Sequence, residues 1–289
     1  MCGRLQGRAA SRAFWPIAMA LAMLNCQAQE AQKKMQNLKQ QVLDKQPAAA
    51  LTARQIGPSA NLELIKLTRD DDAKVRRIAV YCLNETGGAD AAVAFARLTL
   101  DQDSQVRAAA LEGLANHPAD AVPQTLLEAF DQSPDPYVRQ QLMMIAARVP
   151  GVSTAEMQKR YEPEKDPEAK EGLVVGLAQR GDPAGQSEFI RGLHAAKDRD
   201  LARYLEYAGQ IKAKWLLPAL LPILDDKTPL VRIGVDGLPH LPDHLRACDI
   251  AINLVAEISG HAFSFRVAGN VNYSDEQIAE VKAFLETLQ

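Results

Sequence analysis

Asp101-Gln102-Asp103-Ser104-Gln105-Val106-Arg107-Ala108-Ala109-Ala110-Leu111 decides how this chain is built. Acidic residues open it, a Val-Arg pair follows, and small and apolar residues continue at helical spacing. The same arrangement stands at Asp71-Asp72-Ala73-Lys74-Val75-Arg76-Arg77-Ile78-Ala79, at Ser133-Pro134-Asp135-Pro136-Tyr137-Val138-Arg139, and at Asp225-Asp226-Lys227-Thr228-Pro229-Leu230-Val231-Arg232. Val75, Val106 and Val138 lie 31 and 32 residues apart, and Val231 follows Val138 after 93, three further steps of 31. A fixed period of this size is the signature of stacked repeats, in which each unit buries its apolar face against the next.

Each unit reads as a first helix, an acidic turn and a second helix. In repeat one, Leu62, Leu64, Ile65 and Leu67 supply the first helix, and Val75, Ile78, Ala79 and Leu83 the second. Repeats two and three follow over 89–115 and 120–148. Repeat four, 153–180, is degenerate: Ala169-Lys170 replaces Val-Arg, and Gly172 and Gly176 each weaken a helix by ~1 kcal/mol relative to Ala. Repeat five covers 183–211, and repeat six, 212–241, regains the acidic and Val-Arg pattern. A carboxylate before the second helix caps orphan N–H groups and meets the positive end of the helix dipole. Pro136, Pro167 and Pro229 fall in the first helical turn, where a missing N–H costs nothing.

Asp-x-x-x-x-Val-Arg with Ala and Leu following, once per ~31 residues, resembles the short bacterial HEAT-like repeat found also in phycobilin lyase subunits and deoxyhypusine hydroxylase. The resemblance covers 61 to about 260. It implies an all-α fold, a right-handed α-α superhelix or HEAT-like solenoid. The stretch Cys248 to Phe265 resembles the closing unit of exported bacterial HEAT-like proteins. A helix over 243–258 is expected there, then an irregular loop over 261–273. Ser274 with Gln277 forms a capping box opening a final helix, in which Ile278, Val281, Phe284, Leu285 and Leu288 make the buried stripe of a C-terminal cap.

The first 28 residues read as an export signal: Arg4, Arg8 and Arg12 precede a short apolar core, Ala13 to Leu24. Two processing routes stay open, cleavage after Ala28 or lipid attachment at Cys26 in Met23-Leu24-Asn25-Cys26. Both place the product outside the cytoplasm, in the periplasm or cell envelope, with membrane contact only through lipid on Cys26. Residues 29–60 read as an N-terminal tether or capping helices, 61–241 as the six repeats, and 242–289 as closing helix, loop and cap. The whole chain has 33 basic and 36 acidic residues, and trimming the signal removes three arginines and no acid. That balance offers no footprint for nucleic acid. Cys82 and Cys248, 166 residues apart, read as buried small hydrophobes and not a disulfide.

Candidate chemistry is sparse. Arg76, Arg107, Arg139 and Arg232 form a structural ladder toward neighbouring turn carboxylates, with Lys170 standing in at repeat four. His240, His244 and Cys248 have the i, i+4, i+8 spacing of metal ligands, but Pro239 and Pro242 interrupt that helix. The hydroxylase resemblance implies iron held by paired His-Glu motifs; no His-Glu dipeptide occurs here, so that chemistry is not carried over. No phosphate loop or nucleophile elbow is present, and neither a catalytic residue nor a cofactor is expected. Partner binding is expected on the concave face made by the second helices, at Arg77, Tyr81, Gln140, Met144, Tyr204 and Tyr207, centred on repeats three to five. The function expected is a non-catalytic exported scaffold for a protein or peptide of unknown identity. The alternative is a lyase-like chaperone or metal-dependent enzyme on the same solenoid.

Overall fold

The computed structural model describes residues 14–119, 121–233 and 242–288; within the first helix the side chains of 14–24 and 26 lie outside that description. The described residues are all-α apart from one short hairpin, and the chain divides after Gly151 into two compact units.

The first unit opens with α1 (Phe14–Leu43) and α2 (Ala49–Ile56). A 3-10 turn at Gly57–Ala60 leads to three hairpins: α3 (Asn61–Leu67) with α4 (Ala73–Thr86), α5 (Ala89–Leu98) with α6 (Ser104–Asn116), and α7 (Pro123–Gln132) with α8 (Pro136–Ala146). The second helices stack in order, α2 on α4, α4 on α6, α6 on α8, and the first helices stack as α3 on α5 and α5 on α7. The core lies between these two layers, filled by Leu64, Val75, Leu83, Phe95, Val106, Leu114, Leu126 and Leu142. Leu38 and Val42 of α1 are buried against this stack, whereas residues 27–34 are exposed.

The turns explain the repeat. Asp103 sits in extended backbone and accepts the N–H groups of Gln105 and Val106, and Asp135 and Asp166 do the same for α8 and the helix after Asp166. Two residues before the cap, the Asp70 and Asp101 carboxylates accept the N–H of Asp72 and Asp103 at 2.9 and 2.8 Å. Small residues set the spacing between layers. A Cβ on Gly113 would stand 2.8 Å from the fully buried Phe95 ring, so α5 and α6 can approach this closely only with glycine there.

The second unit holds α9 (Thr154–Tyr161) with α10 (Pro167–Gln179) and α11 (Pro183–Ala195) with α12 (Asp198–Ile211). Beyond them the repeat breaks. Lys214 to Asp225 forms short 3-10 turns around the single-turn α13 (Leu217–Leu220), and β1 (Pro229–Arg232) pairs antiparallel with β2 (His244–Arg246). The second helix expected for repeat six is therefore absent at 229–232, and Arg232 is an exposed strand residue outside the ladder. Val231, which should have faced inward, is 40% exposed. Asp226 accepts the N–H of Thr228 in a local turn, and the carbonyls of Asp226 and Thr228 bond to Cys248 and Ala247. Gly234, Gly237 and Pro239 follow in sequence and give a helix little propensity with which to compete.

The closing helix, α14 (Ala247–Ser259), starts later than expected because β2 occupies 244–246. It ends at Gly260, which takes φ +66°. Its Asp249 is fully buried, accepting bonds from Arg246 Nε and Nη2 at 2.9 and 2.8 Å and from the Tyr273 N–H at 2.9 Å. The final helix, α15 (Asp275–Glu286), has the Ser274–Gln277 capping box, and Ile278, Val281 and Leu285 are buried. Leu288 lies beyond its end and is 46% exposed, so it is not part of the stripe.

Candidate functional site

The ladder arginines form two kinds of contact in the first unit. Arg76 donates from Nε and Nη2 to both carboxylate oxygens of Asp101 at 2.8 and 2.7 Å, and from Nη1 to the carbonyls of Asp70 and Asp71. Only 6% and 9% of the two side chains is exposed. Arg107 repeats the carbonyl contacts, to Asp101 and Gln102, but reaches Asp135 through a single 3.3 Å bond. The reason is one substitution. Ser133 stands where Asp101 stood, so Arg107 must share Asp135 with the helix N–H groups that this residue caps. Arg139 keeps a carbonyl bond to Ser133 at 2.9 Å.

At repeat four the ladder chemistry changes. Lys170 occupies the arginine position of α10, and its ammonium lies 4.4 Å from the centre of the Tyr161 ring. The next residue, Glu171, accepts from Arg203 Nε at 2.9 Å, Arg203 Nη2 at 3.1 Å and the Tyr207 hydroxyl at 3.0 Å. A carboxylate thus ties α10 to α12. Tyr204, one turn before Ala208 on α12, lies against Gly192 of α11, where any Cβ would strike the phenol. Beneath it the fully buried Phe189 packs on Tyr204 and on Trp215, with ring centres 5.4 and 6.0 Å apart.

Together these residues line a cleft of 380 Å³ in the second unit, walled by Tyr161, Lys170, Glu171, Glu188, Arg191 and Tyr204. Glu188 and Arg191 form an ion pair one turn apart on α11. Burial, then the nearby Glu171 charge, pushes the Tyr204 and Tyr207 hydroxyls above the ordinary tyrosine value, and burial followed by Glu188 does the same at Tyr161. All three remain protonated donors at neutral pH. Its described lining offers aromatic faces, hydroxyl donors and charges of both signs, which serve stacking, hydrogen bonding and charge pairing.

The expected partner residues divide. Tyr81 on α4 is 41% exposed and one turn from half-buried Arg77, whose Nε is buried without a hydrogen-bond partner among the described residues. Gln140 and Met144 are corrected: they are 4% and 8% exposed, because α8 is covered on nearly all sides from Gln140 onward. Tyr207 is corrected too, being 5% exposed and held inward by Glu171. Tyr204 is half-buried at the cleft wall. Tyr161, Glu171 and Gly192 were missed by sequence reasoning; the Lys at an arginine position was the one local signal pointing toward them.

Of the spacing that suggested metal ligands, His244 is exposed on β2, Cys248 is buried on α14, and His240 lies outside the described residues. Burial pushes the Cys82 thiol up to about 12, and burial followed by Asp249 raises that of Cys248, so both are inert thiols. Both are free.

Residues 35–115 and 61–146 match the family model for HEAT repeats. That match begins within α1 and ends at the last residue of α8, so it spans the stack of hairpins described above. Residues 35–146 thus carry HEAT-like repeats, and the fold is consistent with an all-α solenoid. Among curated proteins no match to the chain is found.

Proposed function

We propose that this protein is a non-catalytic scaffold that grips a protein or peptide partner, with the second-unit cleft as a principal contact. The observation that carries the reading is the Tyr161–Lys170–Tyr204 wall. Two tyrosines stand there on rigid helices, backed by the Phe189–Trp215 cluster, with charged groups of both signs beside them. Tyrosine supplies contact area and a hydrogen-bonding tip at low entropic cost. Tyr207, held inward by Glu171, supports that wall and does not itself meet the partner.

The reading includes export to the periplasm or cell envelope. Cleavage after Ala28, or lipid attachment at Cys26, would leave in place half-buried Met35 and buried Leu38 and Val42 of α1. The first unit would therefore keep its cap after processing. Intact mass of the protein from the cell envelope distinguishes the two routes, and a cytoplasmic, full-length product would remove export from the proposal.

The test of the scaffold is site-specific photo-crosslinking in the native host. A benzophenone amino acid at Tyr161 or Tyr204 is expected to give one discrete protein adduct, weakened by Lys170→Glu. The same probe at exposed Ala108 on α6 is expected to give none. No adduct at either tyrosine, or equal adducts at all three positions, refutes the assignment.

A further inference from the structure

A second surface, on the first-helix layer of the first unit, has the chemistry of a docking groove. The first helices α3 and α5 leave between them a groove of 400 Å³ with Leu62, Ile65 and Val93 along it and Arg69, Arg97 and Asp90 at its margins. Leu62 is 71% exposed, whereas Leu64 beside it is fully buried and Leu67 nearly so. Leu62 and Ile65 are three residues apart, so they share one helix face. Among the described residues the inward stripe of α3 is Leu64 and Leu67, and Leu62 stands outside it.

The charges around the groove are unusual for this chain. Three arginines elsewhere in the first unit are committed: Arg54 to Glu85, Arg76 to Asp101, Arg107 to Asp135. Lys66, on the same helix as Leu62, pairs with Glu63. Arg69 and Arg97 are both exposed, and neither side chain makes a hydrogen bond or ion pair with any described residue. Arg69 follows the end of α3 and Arg97 stands in the last turn of α5. As first helices of successive hairpins α3 and α5 run the same way, so the two guanidiniums share one end of the groove. Asp90, in the first turn of α5, stands toward the other. In a chain with more acidic than basic residues, this is a local pair of uncommitted cations at the mouth of an apolar channel.

We propose that the groove docks a protein segment in which a Leu- or Ile-like side chain lies within about two residues of Asp or Glu. The apolar side chain covers Leu62, Ile65 and Val93, and the carboxylate accepts from Arg69 and Arg97 in the forked geometry arginine favours. Asp90 repels a second carboxylate at the far end and so sets the direction of the segment. The surface lies on the first helices and includes none of the cleft residues of the second unit, so it stands or falls separately from that cleft.

The test is selection of a random twelve-residue peptide display library on the full-length chain, followed by fluorescence polarisation with the enriched peptides. Enriched sequences are expected to place Asp or Glu within about two residues of an aliphatic side chain. Their binding is expected to weaken by about tenfold or more in Arg69→Glu/Arg97→Glu and in Leu62→Ser, and to weaken as salt rises. These positions are exposed, and an unchanged melting curve for each variant confirms that the fold is intact. Three outcomes overturn the proposal: no enrichment, enrichment of peptides without acidic residues, or binding that the double charge reversal leaves unchanged. Peptides lost on Tyr204→Ala but kept by the double reversal belong to the other cleft and likewise overturn it.

Discussion

Asp101→Ala is expected to be among the most damaging single substitutions at any turn of the first unit. Arg76 is almost wholly buried and spends Nε and Nη2 on this one carboxylate, at 2.8 and 2.7 Å. With Asp101 gone, the Nη1 bonds to the Asp70 and Asp71 carbonyls remain, but two faces of a charged fork are left dry. Removing one partner of a buried pair costs ~3–5 kcal/mol, because the other charge stays uncompensated. The turn also loses the Asp103 N–H acceptor, a further ~1 kcal/mol. Asp101→Asn keeps that acceptor and so isolates the charge. The Arg107–Asp135 pair supplies the contrast: its side chains are 25% and 33% exposed and joined by one 3.3 Å bond. A double-mutant cycle there is expected to give a coupling of ~0–1 kcal/mol. Replacing both Arg76 and Asp101 by Met and Leu is expected to recover most of the loss, since a dry apolar pair leaves no orphan charge. The assay is urea denaturation combined with hydrogen exchange at α4 and α6, which reads local opening where two units need not unfold together. A cost below ~1 kcal/mol for Asp101→Ala, or equal coupling in the two pairs, would refute burial as the source of the ladder's strength.

Leu111→Ala, at a buried position of α6, is expected to cost ~2–5 kcal/mol, and Leu111→Asp to prevent stable folding; a thermal melt of Leu111→Asp matching the parent would show that the repeat register is wrong. Gly113→Ala gains ~1 kcal/mol of helix propensity but drives a methyl into the immobile Phe95 ring, an overpacking cost of ~1–3 kcal/mol, so a net loss of stability by urea titration is expected. Asp249 supplies a pH dependence. Its burial opposes ionisation, but the bonds from Arg246 and the Tyr273 N–H prevail and hold its pKa below the ordinary aspartate value. A group whose folded pKa is depressed stabilises above its unfolded value, ~3.9, and loses that contribution as pH falls through the lower folded one. The Asp249→Asn variant should therefore lose stability relative to the parent at pH 7 and converge on it in strong acid; a gap that stays constant with pH would remove the charge from the explanation.

The period of the Asp and Val-Arg pattern was sufficient for the hairpin stack, because what makes each hairpin is local. Asp103 caps the helix that begins one residue later, and Val106, Ala110 and Leu114 face inward by spacing alone. Even the Arg76–Asp101 contact was legible, since a repeat places equivalent turns next to one another. The sequence misled where the local pattern persisted without its supports. Thr228-Pro229-Leu230-Val231-Arg232 has the letters of a second helix, yet it pairs as a strand with His244-Leu245-Arg246, whose position in the chain no motif announces. Leu288 continued a helical stripe on paper but stands beyond the end of its helix. The functional surfaces depended on contacts between residues far apart in sequence. Tyr204 and Tyr207 have the same side chain and sit three residues apart, but Glu171 draws one inward while Gly192 leaves a berth for the other. Leu62 and Leu64 are likewise alike in sequence, and only the stacking of α3 on α5 decides that one is core and the other a groove wall. Helical periodicity says which residues share a face. Which faces are covered is decided by the neighbours that tertiary packing brings alongside.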